Sequence, residues 1–198
     1  MLEPGSIVKV AAAAKAGDIR AQSALGTAYL RGGPYLAKNL TQAVYWLHKV
    51  ADRDPAEFDR IHRRMRYVLE ERRHESDPQS QRMLDREYLS LVERKLAYEQ
   101  ALLGLAQVYA GGQGASHANP QLALKYLRLG AAYGFPSSQR VLGLVILSGS
   151  LGARRSELEG RRWLYAAAAK GDRVAVRWLT ELDKSSAANR MGEPFPRS

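Results

Sequence analysis

The sequence predicts an all-α protein, a solenoid of stacked αα hairpins, and three observations carry that prediction. First, one pattern occurs twice in register: Ala123, Tyr126, Gly130-Ala131, Gly134, and then Gly160, Trp163, Ala167-Ala168, Gly171, offset by 37 residues. Second, a different pattern recurs between and around these copies. After Gly134 come Ser138, Leu142-Gly143, Ile146 and Gly149; after Gly17 come Ala21, Leu25-Gly26, Tyr29 and Gly32. It returns as Ala101, Leu105-Ala106, Tyr109, Gly112, and begins again after Gly171 as Ala175 and Leu179. Third, the small-aromatic template also stands upstream, as Ala43, Trp46, Val50-Ala51. A fixed period of this size, with small and aromatic residues in phase, marks a protein of stacked helical repeats. Two helix types alternate: A (Ala…Leu-Gly…Tyr…Gly) and B (Ala…Trp…Ala-Ala…Gly).

The physics of the template is packing. Positions 4, 8 and 12 after each Gly share one helical face at roughly 100° per residue. Small residues let A and B approach closely, and the aromatic fills the groove between pairs. A Gly closing B suits a left-handed C-terminal cap. One hairpin cannot bury its own apolar face, so its neighbours must stack on it.

Taken in order, residues 6–16 read as a B helix closed by Gly17, and 19–31 as the first A helix. Gly32-Gly33-Pro34 stop that helix, because two glycines and a proline do not continue one. Asn39 caps the next B helix, with Gln42 placed for a capping box. Asp54-Pro55-Ala56-Glu57 is a helix start: a capping Asp, Pro in the first turn and an acid at the third position. Phe58, Ile61, Met65 and Val68-Leu69 follow at helical spacing until Ser76-Asp77-Pro78 ends this helix and opens another. Its stripe of Met83-Leu84, Tyr88, Leu91-Val92 and Leu96 meets no Gly or Pro before Leu103, so it runs straight into the A helix at Ala101. Residues 55–98 are therefore a long charged helical hairpin, either an insertion or a degenerate repeat: Ala21 to Ala101 is 80 residues, close to two periods. Its narrow stripe resembles a coiled-coil seam, which makes docking of a partner or a second copy the functional alternative to packing in the stack.

Residues 99–110 form the next A helix, and Gly111-Gly112-Gln113-Gly114 a turn. Asn119-Pro120 starts a B helix to Tyr133, and 136–148 are an A helix. Ser156 with Glu159 makes a second capping box for the B helix to Lys170, and 173–184 are the last A helix. The expected organisation is one domain over residues 1–190 and a mobile tail, 191–198, rich in Gly and Pro.

The alternation of A and B resembles the Sel-one-like repeat, a relative of the tetratricopeptide repeat, over residues 6–52 and 99–180. Departures are Ser138 for Ala, Ala106 for Gly, Gly160 for Ala, and Asp54 where a B helix should close with Gly. The resemblance implies a right-handed α-solenoid that acts as an adaptor or scaffold, with no catalytic residues to carry over. It also implies that A helices line the concave surface. Positions 3, 6, 10 and 14 after Gly then face the groove. These are Arg20, Ser23, Thr27 and Arg31, then Gln100 and Gln107, then Arg140 and Arg177. The set is polar and basic, without carboxylates, and matches an acidic peptide or protein loop.

Composition sets the remaining bounds. The chain has 198 residues, 45% hydrophobic, enough for one continuous core. No run approaches the roughly 20 apolar residues of a membrane span. There is no cysteine, so disulfides and thiolate metal sites are excluded. No signal peptide is evident. The sequence as given suits the cytoplasm, and the periplasm if a leader was removed. Net charge is +10, and residues 55–99 hold ten basic and ten acidic side chains, so the excess lies wholly on the repeats. The four histidines, His48, His62, His74 and His117, make no metal-binding spacing. Gly111 to Gly114 lack the Lys-Ser/Thr ending of a phosphate loop. No cofactor is implied. Tyr29, Trp46, Tyr109, Tyr126 and Trp163 are expected in the core, and Trp178 over the end of the stack. The functional expectation is a non-enzymatic adaptor binding a protein, as monomer or as a dimer through 55–98. Nucleic-acid or polyanion binding by the basic repeats is the alternative.

Overall fold

The computed structural model describes residues 4–111 and 118–191. The expected turn at 112–114, His117 and the tail from 192 onward lie outside the described residues. Within them the chain is helical: α1 (Pro4–Lys15), α2 (Ile19–Arg31), α3 (Leu40–Ala51), α4 (Pro55–His74), α5 (Pro78–Tyr109), α6 (Pro120–Ala132), α7 (Pro136–Ser148), α8 (Glu157–Ala168) and α9 (Arg173–Met191). A short 3-10 turn, Ser150–Gly152, joins α7 to α8. The chain divides into two compact units, 1–118 and 119–198.

In the first unit α2 is the hub, packed by α1, α3 and α5. Ala14, Ala21, Leu25 and Trp46 form one buried cluster, with Val10, Ala11, Ala13 and Tyr29 against it. Leu30, Ala43 and Val108 form another. Leu47, fully buried, is a knob held between two glycines: a Cβ on Gly26 or on Gly104 would stand 2.8 Å from its side chain. Helices α4 and α5 pack on one another, and α5 is continuous through the predicted join at 98–101. The main neighbour of α4 is α5. Phe58 and Tyr98 meet edge to face at 5.5 Å near its base, and Val68 is fully buried farther out.

In the second unit α7 packs on α6 and α8, and α9 on α8. Helices α7 and α8 meet at two glycines. A Cβ on Gly143 would sit 2.8 Å from the Gly160 carbonyl oxygen, and one on Gly160 would sit 2.8 Å from that of Gly143. This explains the departure of Gly160 from Ala. Leu164, Ala167, Ala175 and Leu179 form the buried cluster there.

Several expectations need correction. Asn39 and Ser156 do cap α3 and α8, accepting from the backbone N–H of Gln42 and Glu159 at 2.9 and 3.2 Å. Neither capping box is reciprocal, because the cap's own N–H is taken: Asn39 donates to the Tyr29 carbonyl and Ser156 to that of Ile146, at 2.9 and 3.2 Å. Tyr29 and Ile146 occupy the same repeat position, so this bond is a property of the hairpin. Of the aromatics expected in the core, Trp46 and Tyr126 are buried, while Tyr29, Tyr109 and Trp163 are only partly covered. Trp178 is 45% exposed, and Leu179 beside it is buried. Helix α9 outruns the predicted 173–184.

Candidate partner-binding surface

Within the first unit, α1, α2 and α5 enclose a trough. Its floor is Ala21, Ala24 and Ala28 of α2, whose small side chains leave the space open. Lys9, Val10 and Ala13 of α1 form one wall; Glu93, Leu96 and Gln100 of α5 form the other. One half has a volume of about 570 Å³ and the other about 530 Å³, and they share Ala24 and Gln100. The Gly32–Leu36 loop closes the second half, with Tyr35 61% exposed at its rim. The loop is pinned because Gly32 adopts a positive φ of 72° and Gly33 pairs with Leu36.

Four of the eight predicted groove residues line this trough: Arg20, Thr27, Arg31 and Gln100. Arg31 is exposed, and among the described residues it has no ion-pair partner; the same holds for Lys9. Arg20 is already engaged, with Asp18 at 3.1 Å and Glu93 at 2.6 Å. The hydrogen bonds it donates to these carboxylates raise its pKa further. The trough therefore does contain carboxylates, contrary to the reading from register. Ser23 is not a groove residue. It is fully buried, and its hydroxyl donates to Gln100 Oε1 at 3.3 Å, because α5 leans on that side of α2. Gln107 is exposed farther along α5. In the second unit Arg140 is partly covered and spends its Nε on Asp172 at 2.9 Å, while Arg177 is exposed.

Burial alone would raise the carboxyl pKa of Asp18. The backbone N–H of Ala21 and the Arg20 guanidinium overcome it, so the group sits below its ordinary value. Asp172 is the equivalent in the second unit: burial is outweighed by the Ala175 N–H and by Arg140. Both residues cap the helix that follows, and ionised carboxylates suit a helix N-terminus.

The register did not single out two repeated devices. Gln22 and Gln139, five residues after Gly17 and Gly134, are buried and donate to the carbonyls of Ala14 and Ala131 at 3.1 and 3.2 Å. Arg53 and Lys170, at the ends of the two following B helices, donate to the carbonyls of Gly17 and Gly134, each at 2.7 Å. The signal was present, since each pair repeats at a separation of 117 residues. A third feature is local to the first unit. His48 bridges Asp52 at 2.7 Å and the Tyr109 hydroxyl at 2.9 Å, tying α3 to α5. Burial and the Asp52 charge push that hydroxyl's pKa up. It braces one helix against the other.

Among the described residues no cluster of His, Asp and Glu is arranged to hold a metal ion, and no helix is long and apolar enough to cross a membrane. The family model of the Sel1 repeat matches residues 19–55, 99–134 and 136–172, more than half of the chain. Among solved structures the chain is similar to a Sel1 repeat protein from Oxalobacter formigenes, 23% identical with a TM-score of 0.53, over 88% of this chain and 96% of that one. It is also similar to c5321, a protective antigen present in uropathogenic Escherichia coli strains displaying an SLR fold, 23% identical with a TM-score of 0.38, over 87% of this chain and 35% of that one. No curated protein matches. Repeats of this kind typically mediate protein–protein interaction and are generally non-enzymatic. The matched stretches begin at α2, at the repeat portion of α5 and at α7, where the A helices stand, and the chain belongs to the Sel1 repeat family.

Proposed function

We propose that the protein is a non-enzymatic adaptor that holds a segment of an acidic partner protein in the trough between α1, α2 and α5. The observation that carries this reading is the pairing of an open, alanine-floored trough with two cations, Lys9 and Arg31, that have no ion-pair partner among the described residues. An exposed cation beside an apolar floor favours a chain that brings both a carboxylate and a hydrophobic side chain. The experiment is affinity capture with the intact protein and with Lys9→Glu combined with Arg31→Glu. An acidic protein retained by the first and lost from the second supports the trough. An unchanged set of captured proteins places the partner elsewhere. Binding to non-specific DNA that collapses steeply with salt would instead assign the basic surface to a polyanion.

A further inference from the structure

The α5 wall of the trough does not end with the trough. Arg82, Arg86, Leu89, Glu93, Leu96 and Gln100 recur at alternating spacings of four and three, and all six are exposed. That spacing keeps them in one line along a helix, as at the core positions of a heptad. The inward face of α5 is separate and carries Leu91 and Tyr98, which are buried. The outer line carries two large apolar side chains at its centre, Leu89 at 60% and Leu96 at 47% exposed, seven residues apart. Glu93 between them is tied to Arg20 of α2. Leu96 and Gln100 line the trough, so the stripe leads from the hairpin into it. Among the described residues Arg82 and Arg86 have no ion-pair partner, whereas their neighbours Arg64 and Arg72 are paired with Glu87 and Asp85.

We infer that the partner segment is an amphipathic helix lying along this stripe, which rests on the reading of the trough given above. An extended strand would need an open sheet edge or a ladder of backbone partners; a helix face of spaced leucines offers knobs and holes to another helix. The charges select its flanks. Free arginines stand at the hairpin end, and Lys9 and Arg31 at the trough end. The matching helix carries leucine-like residues every three to four positions, with acidic residues at both ends. From Arg82 to Gln100 the stripe is about 27 Å long at 1.5 Å per residue. Like charge at Arg82 and Arg86 disfavours side-by-side pairing of the stripe with a parallel second copy.

The test is selection of a displayed library of random 18-residue peptides on the full chain. The expected binders have apolar residues in helical phase and acidic flanks, and gain helicity on binding by circular dichroism. Leu96→Lys should weaken them about tenfold or more, the loss expected for one buried leucine. Leu89→Lys, at a more exposed site, gives the same reading if Leu96→Lys disturbs folding. Binders that contain proline or lack helical phase, yet still depend on Arg31, overturn the helix and leave the trough standing. Binders indifferent to both Leu96 and Arg31, or no binders at all, overturn the trough with it. A dimer in sedimentation equilibrium that Leu89→Lys dissolves would give the stripe to a second copy, and overturn the proposal in another way.

Discussion

At the scale of single residues, the small side chains carry this fold. Gly143 and Gly160 are not permissive gaps; the carbonyl oxygen of each occupies the space a methyl group on the other would need, 2.8 Å from where that Cβ would stand. Gly143→Ala must therefore push α8 away from α7, an overpacking cost of about 1–3 kcal/mol. Thermal melting should show it as a clear fall in midpoint. The buried glutamines allow a sharper comparison. Gln22 is satisfied at both ends, by Ala14 through its amide nitrogen and by Arg53 on Oε1 at 3.2 Å. Among the described residues the Gln139 side chain donates to the Ala131 carbonyl, and its Oε1 has no partner. Replacement by Met leaves Arg53 short of a partner in one case and relieves an orphaned oxygen in the other. Urea unfolding should show Gln22→Met costing more, by about 1 kcal/mol. Both roles could have been suspected from register alone, because both glutamines stand five residues after a repeat Gly. What register could not show is that the lysine in one copy reaches less far than the arginine in the other.

At the scale of elements, hairpins are joined by a recurring set of end contacts: an Asp at the helix start, a cap N–H taken by the preceding A helix, and a cation on the Gly carbonyl. The carboxylates make this set sensitive to acid. Asp18 and Asp172 are held below their ordinary pKa in the fold, so they bind a proton more readily when unfolded. The stability they contribute is complete above the usual carboxylate value of about 4 and is lost as pH falls through their lower folded values. Chemical denaturation at pH 7 and at pH 3 should show this loss, and Asp172→Asn should shrink the difference between the two conditions. The hairpin gives a second prediction. Residues 69–83 include no buried side chain, and the ion pair of Arg73 with Glu70 there lies on the surface. Surface pairs contribute about 0–1 kcal/mol. Replacing 71–81 with a short glycine-containing turn should leave the melting midpoint within a few degrees of the intact protein. A large fall would mean that the hairpin tip supports the repeats.

At the scale of the whole chain, the excess positive charge lies on the repeats and not on the hairpin. Residues 119–198 hold thirteen basic and six acidic side chains, while the hairpin is balanced. Such a field speeds encounter with an acidic partner more than it strengthens the complex. Stopped-flow association with the captured partner should slow as salt rises, with a dissociation rate that changes little. The repeats were legible because packing of helices at close range demands small residues at fixed phase. Trp46 and Tyr126 obeyed that demand, and Trp163 did so only in part. Of the residues that the register marks for a groove, Arg20, Thr27, Arg31 and Gln100 line the trough, whereas Ser23 is buried under α5. The part of that helix up to residue 98 carries no repeat consensus, so the period does not announce where it leans.

The sequence by itself determined the helices, their caps and their alternation, since these depend on neighbours within a few turns. It also determined the family, through small and bulky residues kept in phase. Only the tertiary structure decided that Leu47 sits between Gly26 and Gly104, that Arg20 is spent on Glu93, and that α5 walls a trough against α1. Each of these joins residues far apart in the chain. Their contact depends on how one helix leans on another, and that angle is set by the summed packing of many side chains, not by any local pattern.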